Sequence, residues 1–320
     1  MTSSSSQDDI DRSEKIPGYA TPSHPWQEVN AVNWNETEGA SVNERKTRSR
    51  SQSVRLSRIH DWLSAPDPSL NYHKALRQRK AGTGLWLLQD EKFKIWKEAA
   101  ASRLLLYGIS GCGKTILSST IIEHLLFHCH DDVRMVTVYF YFDINDTQKQ
   151  DSKLMLQSLL SQLLLRSEMI PESVDTLISS CGNGQRQPSL YELLEALSQV
   201  LQQFTHVYLI LDALNECKQG GKLVDVLEAM DGWQLDNLHL LMTGRQERPI
   251  DEFLGCHLKE GYAICLHRNV VDQDILRYVL QRLGDERGLP KWNGNADIMR
   301  EILTAVMRDA SGMYVYISVQ

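Results

Sequence analysis

The sequence lacks several features that would place it in other classes of protein. None of its six cysteines forms a C-x-x-C pair, which indicates the reduced thiols of an intracellular protein. No apolar run approaches the ~18 residues that a membrane span requires, and the first six residues lack the apolar core of a signal peptide. We therefore expect a cytoplasmic protein without a membrane span. The net charge of −7 argues weakly against nucleic acid as the main partner, because a phosphate backbone attracts a basic face.

One stretch of the chain carries a complete phosphate-binding motif. The residues that match the pattern G-x-x-x-x-G-K-[ST] are Gly108, Ile109, Ser110, Gly111, Cys112, Gly113, Lys114 and Thr115. Ile116 follows the motif and is expected to belong to the same nucleotide-binding segment. Glycines allow the backbone N–H groups of such a loop to turn inward around a phosphate. We expect Lys114 to contact the β- and γ-phosphates of a nucleotide and the hydroxyl of Thr115 to ligate Mg²⁺. The apolar run 103–107 precedes the motif, as a buried strand should, and apolar residues at helical spacing follow it.

A second segment has the form of a Walker B motif. Residues 207–211 are apolar and predict a buried strand that ends at Asp212, about a hundred residues after the phosphate loop. We expect Asp212 to lie beside the loop and to hold Mg²⁺ through the water shell of the ion. Glu216 follows just past the strand and is predicted to polarise a water for in-line attack on the γ-phosphate.

A third motif is the strand predicted at 238–245, which ends at an arginine. Arg245 is the candidate for sensing the γ-phosphate and stabilising the charge that develops during its transfer. A surface arginine without such a role, and Arg248 in its place, are the alternatives that the sequence leaves open.

Strands and helices alternate along the chain, and this order predicts an α/β fold of the P-loop NTPase type. We expect a five-stranded parallel sheet of strand order 5-1-4-3-2, covered by helices. The predicted strands are 103–107, 133–142, 207–212, 238–245 and 261–266. The predicted divisions of the chain are a disordered N-terminal segment (1–57), a helical aromatic-rich lead-in (58–101), the P-loop core (102–268) and a partial helical domain (269–320).

The lead-in carries a group of aromatic residues directly before the phosphate loop. Its aromatic residues include Trp62, Tyr72, Trp86, Phe93 and Trp96. Two interpretations are equally open: these rings wall the base and ribose of a nucleotide, or they pack as a cover on the sheet. Asp90 is predicted to cap a helix that carries two of them.

Residues from about Ile59 to Gly312 resemble the NACHT domain of fungal NOD-like receptors, which are STAND P-loop NTPases with a nephrocystin-like N-terminal region. The resemblance rests on the sequences Trp62–Pro68, Gly108–Ile116, Asp212–Cys217 and Thr243–Arg245. It implies a signal-transducing NTPase in fungal immunity or heterokaryon incompatibility. Such a protein holds ADP when resting, exchanges it for ATP when a repeat sensor is engaged, and then forms a homo-oligomer.

The sequence departs from this family pattern after the P-loop core. Neither the winged-helix domain nor the C-terminal repeats of such receptors is visible, and the apolar ending 313–320 predicts a chain that is shortened relative to its relatives. Two alternatives therefore stay open: a P-loop small-molecule kinase, and a truncated nucleotide-binding module without turnover. ATP is expected rather than GTP by default, because no N/T-K-x-D base-recognition motif occurs.

Overall fold

A computed structural model describes residues 41–167, 169–245 and 262–266, together with Asp274, Leu276, Arg277, Arg300, Glu301, Thr304 and Ala305. Internal contacts divide the chain into two units, Met1–Arg48 and Ser49–Gln320. Of the first unit, only the beginning of a helix is described. The second unit contains the sheet and the residues of the candidate site.

Five parallel strands form one sheet in the order β2-β3-β4-β1-β5. This confirms the predicted order 5-1-4-3-2 and the α/β fold. The strands are β1 (Arg103–Tyr107), β2 (Met135–Tyr141), β3 (His206–Asp212), β4 (Leu238–Gly244) and β5 (Ala263–Cys265). The helices are α1 (Ser41–Leu63), α2 (Ser69–Gln78), α3 (Leu85–Gln89), α4 (Glu91–Glu98), α5 (Lys114–His128), α6 (Ser152–Arg166), α7 (Glu172–Ser180), α8 (Leu190–Leu201) and α9 (Gly220–Gly232).

The sheet is buried on both faces, which is why its strands are nearly continuous apolar runs rather than alternating patterns. Alternate residues of β1 point to opposite faces: Leu105 packs in the layer that contains α6 and α8, while Leu104 and Leu106 pack in the layer that contains α5. On each face of the sheet, apolar side chains fill the space between the strands and the covering helices. The crossovers between parallel strands place all strand carboxyl ends at one edge of the sheet, where the phosphate loop lies.

The aromatic residues of the lead-in take different positions. Tyr72, Phe93 and Trp96 are buried in the core beside α5 and the sheet, so for these three the structure shows a packed cover. Trp86 is only partly buried and lies near the phosphate loop. Asp90 caps α4 as predicted, because its carboxylate accepts a hydrogen bond from the backbone N–H of Lys92 at 2.8 Å.

The predicted disordered segment and the structure differ over residues 41–57, which belong to α1. This stretch contains no proline or glycine, and the helix continues to Ile59 and Leu63, which are buried in the core. The packing of its carboxyl end therefore stabilises a helix that is polar in composition. The polar composition alone predicts disorder because it does not show this packing. Residues 1–40 lie outside the described part of the chain.

Three helices were not predicted. Helices α3 and α7 are short, and α9 begins with Gly220 and Gly221, a pair that indicates a turn when it is read locally. The predicted helical domain at 269–320 lies almost wholly outside the described residues. Within the residues that are described, no helix is both long enough and apolar enough to cross a membrane.

Candidate functional site

The phosphate loop connects β1 to α5 at the carboxyl edge of the sheet. Gly113, the residue before the helix, has φ of 91°, a left-handed conformation that side chains disfavour. Gly108 is constrained by space, because a Cβ there would lie 2.8 Å from Sγ of Cys112 and 3.0 Å from Cβ of Leu266. The order of strand, glycine loop and helix agrees with the prediction. The amino end of α5 lies at this edge, directly after the loop.

Lys114 lies over the phosphate loop. Its Nζ donates hydrogen bonds to the carbonyl oxygens of Gly108 at 2.8 Å and Ile109 at 2.7 Å. Cys112 lies beneath, with Sγ 3.7 Å from Nζ, and burial raises the pKa of its thiol although the lysine charge opposes the shift. The ammonium group is therefore held at the mouth of the loop, where an anion would meet it.

Asp212 lies at the end of β3 and is almost completely buried, at 1% exposure. Three hydroxyl groups donate to its carboxylate. Thr115 donates to Oδ2 at 2.8 Å, while Ser118 and Thr243 donate to Oδ1 at 2.6 and 2.7 Å. Burial raises the pKa of Asp212 above its usual range, and the three hydroxyl donors together with the charge of Lys114 oppose that shift.

The chain turns sharply after Asp212 and is tied to the neighbouring strand. Ala213 has φ of 58°, and its backbone N–H donates to Oγ1 of Thr243 at 3.0 Å. Asn215, in the 3-10 helix Leu214–Glu216, accepts a hydrogen bond from the backbone N–H of Arg245 at 3.1 Å. The ends of β3 and β4 are therefore connected by side-chain to backbone hydrogen bonds, which restrain the acidic and basic residues relative to each other.

Glu216 is half-buried beside the loop that follows β2. Its Oε2 accepts a hydrogen bond from the backbone N–H of Ile144 at 2.9 Å. Burial raises the pKa of the Glu216 carboxyl group; the nearby charges of Asp143 and Asp212 add to the increase, while the Ile144 N–H and Arg245 oppose it. A carboxyl group with a raised pKa at this position is suited to accept a proton from water.

Arg245 reaches from the end of β4 to the phosphate loop. Its Nη2 donates to Oγ of Ser110 at 3.1 Å, so an exposed guanidinium lies against the middle of the loop. The competing candidate, Arg248, lies outside the described residues. The other predicted site residues lie on the phosphate loop, in the first turn of α5, and at or just after the ends of β3 and β4.

A pocket lies between the lead-in and the phosphate loop. It is lined by Thr83, Gly84, Trp86, Cys112, Gly113, Ile116, Leu117 and Asp274. The buried carboxylate of Asp274 accepts hydrogen bonds from the backbone N–H of Gly84 at 2.7 Å and from Nε1 of Trp86 at 3.0 Å. It also pairs with Arg277 at 3.1 Å. The pocket thus combines an aromatic ring and a carboxylate beside the start of α5.

The residues at the site fit a magnesium ion bound with a phosphate. Mg²⁺ takes oxygen ligands and is commonly held by one or two carboxylates together with substrate phosphates, rather than by an all-protein cage. Thr115 and Asp212 supply a hydroxyl and a carboxylate 2.8 Å apart. The described residues contain no group of three or more His, Cys, Asp or Glu side chains that could hold a metal ion.

Several residues of the site were not predicted as such. Ser118, which donates to Asp212, follows Thr115 by three residues on α5, so helical periodicity could have placed it on the same face. Thr243 was noted only as part of a motif. The contact of Asp274 with Gly84 joins residues 190 positions apart and has no local signal in the sequence.

The parallel sheet, the glycine loop that opens α5 and the carboxylate at the end of β3 define a nucleotide-binding P-loop NTPase. Residues 82–245, half of the chain, match the family described as nephrocystin 3, N-terminal. The chain belongs to this family, which confirms the nephrocystin-like resemblance seen in the sequence.

Comparisons of whole chains give more distant similarities. No curated protein sequence matches the chain. Among solved structures, it is similar to Drosophila ORC bound to DNA, with 17% identity, 77% of this chain and 61% of that chain covered, and a TM-score of 0.40. It is also similar to Cdc6p from Pyrobaculum aerophilum, with 14% identity, coverage of 74% and 65%, and a TM-score of 0.40. The chain thus spans less than two thirds of the length of each.

Proposed function

We propose that this protein binds ATP and ADP with Mg²⁺ and hydrolyses ATP slowly, as a nucleotide-dependent switch of the NACHT type. The observation that carries the proposal is the hydrogen bond between Thr115 of the phosphate loop and the buried carboxylate of Asp212. It joins the two groups that a P-loop site requires for a metal-bound triphosphate. The resemblance to the NACHT domain of fungal NOD-like receptors supports the signalling role and a homo-oligomer in the activated state.

Each site residue has a role in this proposal. The backbone of the phosphate loop and Lys114 bind the β- and γ-phosphates, and Thr115 and Asp212 hold Mg²⁺, which when bound neutralises charge on the phosphate oxygens. Glu216 orients a water for attack on the γ-phosphorus and accepts its proton. Arg245 stabilises the charge on the γ-phosphate oxygens, and its contact with Ser110 supports this role because it places the guanidinium against the loop.

The base and ribose are proposed to bind beside this pocket rather than inside it, because the cavity itself has a volume of only about 10 Å³, room for about one water. Trp86 is only partly buried and offers a ring for stacking, whereas both oxygens of Asp274 are already occupied by Gly84, Trp86 and Arg277. The pocket adjoins Gly113 and Ile116, so a nucleotide whose phosphates lie in the loop can reach it. This assigns the base-binding role to Trp86, while the buried rings of Phe93 and Trp96 are left with the role of a cover.

The test is nucleotide binding by the purified chain, measured with fluorescent analogues of ATP, ADP and GTP in the presence of Mg²⁺. Loss of a charge-assisted contact worth about 2 kcal/mol should weaken the binding of ATP and ADP analogues by Lys114→Ala about 30-fold. Lys222→Ala, on the exposed face of α9, is the matched control and should bind as the wild type does. Equal binding by the wild type and Lys114→Ala would contradict the proposal.

Phosphate release then separates the remaining alternatives. Slow release of inorganic phosphate from ATP by the wild type supports the switch, and binding without release identifies a module without turnover. Release or transfer that depends on an added hydroxyl acceptor identifies a small-molecule kinase. Preference for the GTP analogue over the ATP analogue would overturn the choice of base.

A further inference from the structure

Two hydroxyl groups outside the phosphate loop bind the same oxygen of Asp212. Ser118 and Thr243 both donate to Oδ1, at 2.6 and 2.7 Å. A carboxylate oxygen has two lone-pair directions, so these two donors fill the hydrogen-bonding capacity of Oδ1. Oδ2 receives only Thr115 from the described residues and is the oxygen that remains available to the water shell of a metal ion.

Ser118 reaches Asp212 because of the geometry of α5. It lies three residues after Thr115, and residues at this spacing share one face of a helix. Both hydroxyls therefore face the end of β3, while the side chain of Ser118 is completely buried. Thr243 is completely buried as well and approaches from β4. The carboxylate is thus held from two elements, a helix and a strand, neither of which is its own.

We infer that Ser118, together with Thr243, is a positioning residue that orients Asp212 so that its Oδ2 is presented to Mg²⁺. This inference rests on the proposed function, since it concerns the same nucleotide and metal site. It goes beyond that proposal by assigning metal affinity to residues that contact neither the phosphate nor the ion. Loss of a hydrogen bond that orients a metal-binding side chain commonly changes metal affinity by about 10- to 100-fold.

A merely structural role would have a different signature. If the hydroxyl of Ser118 only satisfies a buried acceptor, its removal lowers stability and affects nucleotide binding equally with and without metal. If it orients the carboxylate toward the ion, its removal weakens only the binding that depends on Mg²⁺. The ratio of the two dissociation constants therefore separates the two roles.

The neighbouring residue provides a matched control. Ser119 is of the same type, lies on the same helix and is equally buried, but its Oγ donates to the carbonyl oxygen of Ile116 in its own helix. Ser118→Ala and Ser119→Ala therefore remove one buried hydroxyl each, and only the first removes a partner of Asp212. Thr243→Val, which keeps the side-chain shape, removes the second donor together with the acceptor of the Ala213 N–H, and it provides an independent variant if Ser118→Ala folds poorly.

The experiment measures the dissociation constant of a fluorescent, non-hydrolysable ATP analogue in saturating Mg²⁺ and in EDTA. We expect Ser118→Ala and Thr243→Val to weaken binding about tenfold in Mg²⁺ and less than about twofold in EDTA. Ser119→Ala should match the wild type within about twofold in both conditions. Thermal unfolding of all four proteins confirms that each is folded at the temperature of the measurement.

The outcomes distinguish the inference from the proposed function. If Ser118→Ala and Thr243→Val behave as Ser119→Ala does, or weaken binding equally in Mg²⁺ and EDTA, the inference is wrong and nucleotide binding stands. The same holds if the wild type binds equally well with and without Mg²⁺. If the wild type binds no nucleotide in either condition, the proposed function fails and the inference fails with it.

Discussion

The two edges of the sheet both contain buried polar clusters, but one is built around a carboxylate and the other around imidazole rings. At the carboxyl edge, Asp212 places a carboxylate in the interior and surrounds it with hydroxyl donors. At the amino edge, Ser102, His206, Tyr208 and His239, here called the histidine cluster, come from the starts of β3 and β4 and from the residue before β1. The same strands therefore begin in one polar cluster and end in another.

The histidine cluster is a network of hydrogen bonds and ring contacts. One ring nitrogen of His239 lies 2.8 Å from Oγ of Ser102, and the other lies 3.0 Å from Nδ1 of His206. The ring of Tyr208 stacks on His239 with centroids 4.7 Å apart. Burial lowers the pKa of His239 to about 4, and the neighbouring His206 adds to the decrease, while hydrogen bonds that His239 donates to the backbone of Trp96 and Ala99 oppose it.

The difference teaches what each cluster is suited to do. A neutral hydrogen-bonded network satisfies buried groups at modest cost and can serve packing alone. Burying a carboxylate has a large desolvation cost. Such a group is therefore expected where its charge is needed, as at a site for a cation. We therefore expect substitutions at the carboxyl edge to change chemistry more than stability, and substitutions at the amino edge to do the reverse.

The largest expected effect is that of Glu216→Gln at the carboxyl edge. Gln keeps an oxygen that can accept the hydrogen bond from Ile144, but it cannot accept a proton from water. The rate of ATP hydrolysis should fall by about 10²- to 10⁴-fold, the usual contribution of a general base. The measurement is phosphate release under single-turnover conditions, with ATP binding followed in parallel.

Nucleotide binding is the internal control for Glu216→Gln, and it should stay within about twofold of the wild type. A variant that hydrolyses ATP at the wild-type rate would remove Glu216 from the mechanism and would break the contrast between the two edges. Asp225→Asn, a carboxylate on α9, serves as the matched substitution and should leave hydrolysis unchanged.

The sequence predicted the parts of the fold and site that depend on local pattern. The phosphate loop and the acidic end of β3 follow from glycine spacing and apolar runs, and the parallel sheet follows from the alternation of strands and helices, while the strand order was expected from the resemblance to known P-loop domains. The proximity of Thr115 to Asp212 followed because parallel strands share one carboxyl edge. To predict these features, it is enough to know the direction of each strand and the topology of the sheet.

The parts that the sequence did not predict depend on how distant segments dock. Ser118 is an ordinary helix residue until α5 packs over the end of β3, and Asp274 is an ordinary polar residue until it meets Gly84. The histidine cluster was missed for the same reason, since His206 and His239 are 33 residues apart and become neighbours only through the pairing of β3 with β4. Side-chain networks between elements have no periodic signal.

An intermediate effect is expected from pH at the amino edge. Because the pKa of His239 is lowered to about 4 in the folded chain and is about 6.5 in the unfolded chain, the unfolded state binds more protons between these values. Stability is therefore present in full above pH 6.5 and decreases as the pH falls toward 4. His239 should contribute a decrease of about 2 kcal/mol in the free energy of unfolding between pH 7 and pH 5.

Urea unfolding of the wild type and His239→Gln at these two pH values measures that contribution. The variant cannot take up a proton, so its decrease between pH 7 and pH 5 should be smaller than that of the wild type by about 2 kcal/mol. His130→Gln, whose imidazole is 80% exposed, should retain the full decrease. The same decrease in His239→Gln as in the wild type would mean that His239 is not the group that makes the fold acid-sensitive.

The smallest expected effect, and the sharpest comparison of the two edges, comes from Ser102→Ala. This change removes the hydroxyl that donates to the carbonyl oxygen of Trp96 and contacts His239, while His239 keeps its contact with the same carbonyl at 3.1 Å. Loss of such hydrogen bonds should lower the free energy of unfolding by about 1 kcal/mol and the melting temperature by about 3 °C.

Ser102→Ala and Ser118→Ala each delete one hydroxyl from a buried serine, so they differ mainly in the edge at which the hydroxyl lies. Ser102→Ala should leave the Mg²⁺-dependent binding of an ATP analogue unchanged within about twofold, whereas Ser118→Ala weakens it. Within the described part of the chain, the hydroxyl of Ser102 contacts Trp96 and His239 and no partner of Asp212, so its loss has no direct route to the orientation of that carboxylate. Equal weakening of Mg²⁺-dependent binding by both variants would show that general loosening of the sheet, rather than the orientation of one carboxylate, sets the metal affinity.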